Sequence, residues 1–336
     1  MSFPPGKVYP EILKRTVFRH LGSKNSDVVV GPSEGEDAAI IHVGNKLLAI
    51  HCDPISGAYS NIGLIAMNIA TNDIATRGVK PRWTLSCVML PQGSDENVLN
   101  EICVQMGDAA ERLGVSIVGG HSEVTPGLNH PLVIVTAFGV AEGGRYVTTG
   151  GAKPRSKIIL SKSVGIEGTS ILAADRGELL SDKFGEKFVE EARAYFGRLS
   201  VLKEALTAFT YGGVLAMHDP TEGGVAGGLN EVANASKVGF RVYEDAIAIG
   251  HETSEICRFF EIDPLKLISS GALLIVASPE KADEIVKKLE EENVKASIIG
   301  ETLSDVNRRV IVHRSGIEEA LPMPLADELW KALERR

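Results

Sequence analysis

The sequence predicts a two-domain α+β protein in which each half is of α/β type. Three observations carry this. Short apolar runs bounded by Gly, Pro and Asn alternate with amphipathic helical stretches over about 150 residues. A Gly-rich, basic, Pro-containing junction, EGGRYVTTGGAKPRSK, follows and places a domain boundary near residues 148–156. Beyond it the alternation of strand and helix starts afresh. The expected domains are therefore 1–150 and 151–336, and 336 residues suffice for two cores.

Each element has its own signal. Residues 8–21 place Ile12, Leu13, Val17, Phe18 and Leu21 at helical spacing, which predicts an amphipathic helix. Residues 26–54 read as short strands, with a hairpin turn at Gly44-Asn45. NIGLIAMNIATNDIATRGV (61–79) predicts a helix buried on several sides, ended by Lys80-Pro81. RWTLSCVML reads as a strand. Residues 95–114 set Leu99, Ile102, Met106, Ala109 and Leu113 on one stripe, with Gly114 as the stop. Strand VSIVGG then runs into His121-Ser122-Glu123, and PLVIVTAFGVA reads as a central strand.

In the second half, KIILS is a strand and the loop KSVGIEGTS caps the helix that follows. Helices are expected over 183–196 and 199–210. Strand VLAMH ends in DPTEGG, and helix GVAGGLNEVANAS and strand GFRVY come next. Asp263-Pro264 opens a short helix, ALLIVAS is a strand, and PEKADEIVKKLEEEN is a solvated surface helix. Strands KASIIGE and RRVIVHR precede a final helix over 323–334.

Composition removes several function classes. A formal net charge of -9 argues against a nucleic-acid-binding surface. The four cysteines, Cys52, Cys87, Cys103 and Cys257, form no C-x-x-C pair, which argues against a zinc ribbon and leaves small buried thiols as the simpler reading. MSFPPGKVYP has no apolar signal-peptide core, and no run reaches the ~18 apolar residues of a membrane span. A soluble, cytoplasmic protein is expected.

No G-x-x-x-x-G-K-[ST], strand-borne G-x-G-x-x-G, G-x-S-x-G or H-E-x-x-H pattern occurs. What recurs is acids and amides beside small residues at strand ends: GEDAA (35–39), Cys52-Asp53, Asn72-Asp73, GGHSE (119–123) and HDPTEGG (218–224). Hard cations prefer such oxygen ligands, and glycines let backbone N–H groups approach phosphate. Taken singly, turn chemistry explains each fragment. Asn68 and Asn72 share a helical face beside Asp73, which fits either internal hydrogen bonds or a bound divalent cation. Asn61 and Asn68 read as structural.

Together and in this order, the fragments resemble the PurM-like (AIR synthase-related) superfamily. GEDAA, NDIATRGVKP and GGHSEVTPG match its N-terminal half, and HDPTEGGVAGGLNEVA with IDPLKLISSGALLIV its C-terminal half. The resemblance runs from about residue 6 to residue 320 and is nearest to the HypE branch of hydrogenase maturation proteins. It implies two α/β-type domains and a homodimer in which N-terminal strands of two chains share a β-barrel. It also implies ATP and Mg²⁺ as cofactors, and phosphorylation of a carbonyl or amide oxygen on a small-molecule or protein-borne substrate. Carried over by position, Asp37, Asp53 and Asp73 are the expected Mg²⁺ ligands. Asn72, Gly119, Gly120, Thr221, Gly223, Gly224 and Asn230 are the expected nucleotide-site residues. Asp219, Glu231 and His121 are the expected catalytic groups.

The chain departs from the HypE pattern at three places. HypE carries its carboxamide on a C-terminal cysteine, whereas this chain ends ALERR and its last cysteine is Cys257. His121 stands where HypE has Asp in G-G-D. Imidazole is a poor Mg²⁺ ligand but can contact phosphate or act as acid or base. Ser269-Ser270-Gly271 stands where HypE has Asn-Glu-Gly, so an acid is missing. The substrate is thus open, and two rivals stand beside the enzyme reading: a nucleotide-binding scaffold dimer without turnover, and phosphotransfer of the thiamin-monophosphate-kinase type. Lys7 reads as a surface lysine or a triphosphate partner, and His218 as a strand-end residue or a site residue.

Overall fold

A computed structural model describes residues 5–334. The start of MSFPPGKVYP and the end of ALERR lie outside it. Two sheets organise the chain. The first is built from β1 (Val28–Val30), β2 (Ala39–Val43), β3 (Lys46–Ile55), β4 (Pro81–Leu90), β5 (Ser116–Val124) and β6 (Leu132–Ala141), in the order β1-β2-β3-β6-β4-β5. Its pairings are antiparallel except β4 with β5. The Gly44-Asn45 turn joins β2 to β3 with Val43 opposite Lys46, as two-residue hairpins require.

The second sheet contains β7 (Lys157–Ser161), β8 (Val214–His218), β9 (Gly239–Tyr243), β10 (Leu274–Ala277), β11 (Ala296–Leu303), β12 (Arg309–Val312) and β13 (Glu318–Ala320). Their order is β13-β12-β9-β11-β7-β10-β8, antiparallel except for β12 with β9.

Eleven α-helices stand among the described residues. These are α1 (Pro10–Arg15), α2 (Ile62–Ala75), α3 (Glu96–Leu113), α4 (Ile166–Asp175), α5 (Gly177–Phe184), α6 (Glu186–Arg193), α7 (Leu202–Tyr211), α8 (Gly224–Ser236), α9 (His251–Phe260), α10 (Ala282–Glu291) and α11 (Glu328–Glu334). Helix α2 is apolar on every side, and all of it except Leu64 is buried. It packs on β3 and β6, beside α3, and against α7 of the second half. Burying side chains such as Ile65, Met67 and Ile69 stabilises the fold by about 1.5–3 kcal/mol each. Gly63 permits the close approach of α3, because a Cβ there would stand 2.5 Å from the Ile102 carbonyl oxygen.

On the inner face of the first sheet Val133, Val135 and Ala137 of β6 are fully buried in the core they share with α2 and α3. Its outer face alternates with this set, as strand periodicity demands. One cross-sheet row there runs Cys52, Thr136, Leu85, Gly119 and the next Pro54, Ile134, Cys87, His121. Every residue of the edge strand β5 is exposed.

Several elements differ from expectation. The amphipathic stretch 8–21 forms only α1 and a 3₁₀ turn at Val17–Arg19 with no buried residue. Its apolar side chains Val8, Leu13 and Phe18 roof a cavity instead of joining a core. The last helix begins at Glu328 rather than 323, since Pro322 and Pro324 deny the preceding segment helical hydrogen bonds. Helix α5 and the short edge strand β13 were not foreseen. Neither was α9, although Thr253, Ile256, Cys257 and Phe260 bury one face at helical spacing.

Candidate active site

Three strand ends and one helix end converge where the two halves meet. The segment before β2 supplies Asp37, β3 supplies His51 and Asp53 on one face, the last turn of α2 supplies Asp73, and the end of β8 supplies His218 and Asp219. These six line one cavity of ≈ 430 Å³, together with Lys7, Thr221, Glu222, Gly223 and Glu231. Asp37, Asp73, His218 and Asp219 are buried.

Their polar contacts form a chain across the domain junction. Arg77, the largest fully buried side chain, donates from Nη2 to Asp37 Oδ2 at 2.8 Å and from Nη1 to Glu36 Oε2 at 2.5 Å. It also donates to Thr149 Oγ1 at 2.9 Å. His218 Nδ1 lies 2.6 Å from Asp37 Oδ1 and Nε2 lies 2.8 Å from Glu231 Oε2. His51 Nδ1 bonds the Asp37 backbone oxygen, and its Nε2 lies 3.1 Å from Asp73 Oδ2. Lys7 Nζ donates to Thr221 Oγ1 at 2.8 Å and stands 4.0 Å from Glu231 Oε1.

Electrostatics divides the acids into two groups. Burial works against ionisation of Asp37 and Glu231, but cationic neighbours outweigh it and hold both at about 2. For Asp37 these are His218 and Arg77, and for Glu231 they are Lys7 and His218. His218 is pushed well above the usual imidazole range: burial opposes its charge, and Asp37 and Glu231 overcome that. Asp73 and Asp219 are raised well above the carboxylate range, first by burial and then by neighbouring acids. Asp53 is raised by burial, with His51 and Lys7 pulling the other way.

Neither carboxylate oxygen of Asp219 has a hydrogen-bond partner, although both are buried. A buried carboxyl without partners is costly, and a bound cation satisfies it. Ligand atoms of Asp37, His218 and Asp219 lie within 4.8 Å of one another, as do those of His51, Asp53 and Asp73. The donor set, rich in carboxylates with imidazole at its edge, fits a hard divalent cation.

The expected site residues divide on this geometry. Asp37, Asp53, Asp73, Asp219, Thr221, Gly223 and Glu231 line the cavity. Asn72 does not: its Nδ2 donates to Leu199 O at 2.8 Å and its Oδ1 accepts from Val201 N at 2.9 Å, so the amide joins α2 to the second domain. Asn230 is similarly engaged, donating to Ala226 O and Leu321 O and accepting from Arg309 Nη1. Gly224 lies under Leu265 and Leu267, where a Cβ would meet both carbonyl oxygens at 2.6 Å. Gly119, Gly120 and His121 stand on the exposed edge strand β5, and His121 pairs with Glu123 at 3.1 Å. Gly120 has a packing reason of its own: a Cβ there would lie 1.9 Å from Ser86 O. Asn68 donates to Leu64 O within its own helix.

His51 and Arg77 are site residues that sequence reasoning passed over. Strand alternation puts His51 on the face of Asp53, and a lone Arg in an apolar helix end is a buried-charge signal. Among the described residues no helix is long and apolar enough to cross a membrane.

Comparison with known proteins agrees with this architecture. Residues 35–141 match the N-terminal domain of AIR synthase related proteins and residues 153–313 the C-terminal domain. A Methanocaldococcus jannaschii protein named for hydrogenase expression and formation is 26% identical over 333 residues, covering 96% of each chain. The carbamoyl dehydratase HypE of Rhizobium leguminosarum bv. viciae is 32% identical over 251 residues, 74% of this chain and 69% of that one. A crystal structure of the hydrogenase maturation protein HypE in complex with ATP superposes with a TM-score of 0.73 at 24% identity, covering 98% of both chains. The chain belongs to the AIR synthase-related, PurM-like family, among relatives that are HypE-like hydrogenase maturation proteins.

Proposed function

We propose that the protein is an ATP- and Mg²⁺-dependent enzyme that activates a carbonyl or amide oxygen of its substrate by phosphorylation. One observation carries this reading. Asp37, Asp53, Asp73 and Asp219 converge on a single cavity at the domain junction, and the Asp219 carboxylate is buried with no partner. Such a wall repels a naked triphosphate and accepts one brought with divalent cations. The ATP bound by a HypE of the same fold supports the choice of nucleotide.

Asp37, Asp53, Asp73 and Asp219 would hold Mg²⁺, which would offset the negative charge of the phosphates. The protein's own contribution is positioning. Arg77 and His218 each hold one oxygen of Asp37, which fixes the carboxylate at the cavity wall in the ionised form. His218, held charged between Asp37 and Glu231, keeps Glu231 anionic and oriented. Lys7, anchored on Thr221, is the cation placed to meet phosphate oxygens at the cavity entrance. The roof formed by Leu13 and Phe18 restricts water.

The functional unit we infer is a homodimer. The apolar rows on the outer face of the first sheet and the unpaired edge strand β5 support it, because a second copy would cover both. Any part for Gly119, Gly120 and His121 in nucleotide binding requires that second copy to bring them to the cavity.

The test is phosphate release from ATP with Mg²⁺, in wild type and in Asp73→Ala, alongside calorimetric ATP binding. Release should fall at least a hundredfold in the variant while its circular dichroism is unchanged. Near-wild-type release in Asp73→Ala would sink the assignment. Tight binding with no release across carboxamide, carboxylate and carbonyl acceptors would favour a scaffold.

A further inference from the structure

His51 and His218 both line the junction cavity, and their surroundings give them opposite roles. His218 has no nitrogen to spare: Nδ1 lies 2.6 Å from Asp37 Oδ1 and Nε2 lies 2.8 Å from Glu231 Oε2. His51 differs. Its Nδ1 meets the backbone oxygen of Asp37, which can only accept, so the ring proton sits on Nδ1. Nε2 is then left as a lone pair. That atom is buried and has no hydrogen-bond partner, although Asp73 Oδ2 is only 3.1 Å away.

A lone pair set against a carboxylate oxygen at that distance is repulsive, and a cation shared by the two reverses the sign. Metal–ligand bonds of about 2.0–2.2 Å put neighbouring ligand atoms of one ion about 2.9–3.6 Å apart. The separation of 3.1 Å is that of a shared coordination shell. Strand alternation in β3 sets Asp53 on the face of His51, and ligand atoms of His51, Asp53 and Asp73 all lie within 4.8 Å of one another. The bond from Nδ1 to a backbone carbonyl is the outer contact that orients a metal-bound imidazole. Lys7 does not neutralise this corner by contact, being held by Thr221 and ion-paired with Glu231. On the same cavity wall the two oxygens of Asp219, 1% exposed, are also without partners. The corner at Asp37 and Asp219 offers oxygen alone, because the imidazole beside it is spent.

We propose that His51, Asp53 and Asp73 form a mixed nitrogen–oxygen site for a first-row transition-metal dication of the Fe²⁺ to Zn²⁺ range, distinct from the all-oxygen corner at Asp37 and Asp219 that suits Mg²⁺. Imidazole suits these metals and is a poor ligand for Mg²⁺. Three protein ligands leave coordination positions for a molecule in the cavity. The inference deepens the reading above and rests on it only for the ion's part beside phosphate; the choice of metal rests on His51.

Co²⁺ is the probe, titrated into the full chain without nucleotide and with Mg²⁺ as competitor. Co²⁺ should bind about a hundredfold more tightly than Mg²⁺. His51→Gln, which replaces the imidazole by an amide, should bring that ratio below about tenfold. His313→Gln, which removes the imidazole held between the surface acids Glu244 and Glu319, should leave it unchanged. In the loaded wild type the proton on His51 Nδ1 should give a hyperfine-shifted, exchangeable resonance that is absent from His51→Gln.

The wild-type spectrum is decisive without a folded variant: a Co²⁺-loaded chain with no hyperfine-shifted imidazole N–H overturns the proposal. Equal affinity for Co²⁺ and Mg²⁺, or a shifted resonance that survives in His51→Gln, overturns it too. Mg-ATP binding followed in the same samples separates the two readings. Mg-ATP binding without the Co²⁺ preference defeats the mixed site and leaves the ATP-dependent assignment, and the Co²⁺ preference without Mg-ATP binding does the reverse.

Discussion

Replacing Asp219 by Asn should stabilise the free protein and remove its response to Mg-ATP. Both carboxylate oxygens of Asp219 are buried and unpartnered, so the wild-type fold carries a carboxyl it does not satisfy. Leaving one such group unmatched costs about 1–3 kcal/mol, and more when it is charged. Because burial and the nearby Asp73 and Asp37 raise its pKa well above the usual range, the folded state holds a proton that the unfolded state releases. Stability attached to that proton is fully present below the ordinary carboxylate pKa and is lost as pH climbs towards the folded value, by up to about 1.4 kcal/mol per pH unit. Asn removes this loss, so the gain over wild type should be near zero at pH 4 and reach about 1–3 kcal/mol by pH 8. For domains of this size that is about 2–10 °C in Tm by calorimetry. With nucleotide and Mg²⁺ at about a hundredfold over Kd, wild type should gain about 2.7 kcal/mol, and Asp219→Asn should lose most of that gain. A variant that is less stable than wild type at pH 8, or that keeps the full Mg-ATP shift, would refute the reasoning.

Arg77→Met should be among the most damaging single changes, at about 3–5 kcal/mol in denaturant melts, because it leaves partly buried Glu36 without its cation and buried Asp37 with His218 alone. Asn72→Ala removes two buried hydrogen bonds between α2 and the second domain. It should cost about 2–4 kcal/mol with the ATP Kd essentially unchanged once the sample is folded, and a large Kd increase in folded protein would instead place Asn72 at the nucleotide. Gly120→Ala should distort the β4–β5 pairing through its clash with Ser86 O, read as lowered Tm and weakened self-association by ultracentrifugation. Glu167 and Asp327, raised by burial to about 8 and about 7, favour the fold below the carboxylate range and lose that contribution as pH rises through 7 to 8. Glu167→Gln should accordingly flatten the fall in stability between pH 5 and pH 9, and an unchanged slope would contradict the assignment.

Local order was legible in the sequence wherever one segment determines its own environment. The all-round apolar run of α2 could only be a buried helix, and the Gly44-Asn45 step could only close a tight hairpin. The acids of the cavity were visible as a set, because Asp37, Asp53 and Asp219 sit at strand ends and Asp73 at a helix end. Residues 8–21 misled for the same local reason: the apolar spacing was real, but its partner is a cavity roof and not a core.

What only the tertiary structure decided is which polar groups are already spoken for. Asn72 and Asp73 are adjacent in sequence and equally polar, yet Asn72 turns to the backbone of Leu199 and Val201 while Asp73 turns into the cavity. That difference comes from a segment more than a hundred residues away. Glu167 looked like part of a helix cap and Ser270 like a lost acid until the tertiary fold set them beside each other on one cavity wall. Periodicity and turn chemistry act over a few residues and are written in the chain. Hydrogen-bond satisfaction and the pKa of a buried acid depend on neighbours that only the folded arrangement brings within reach.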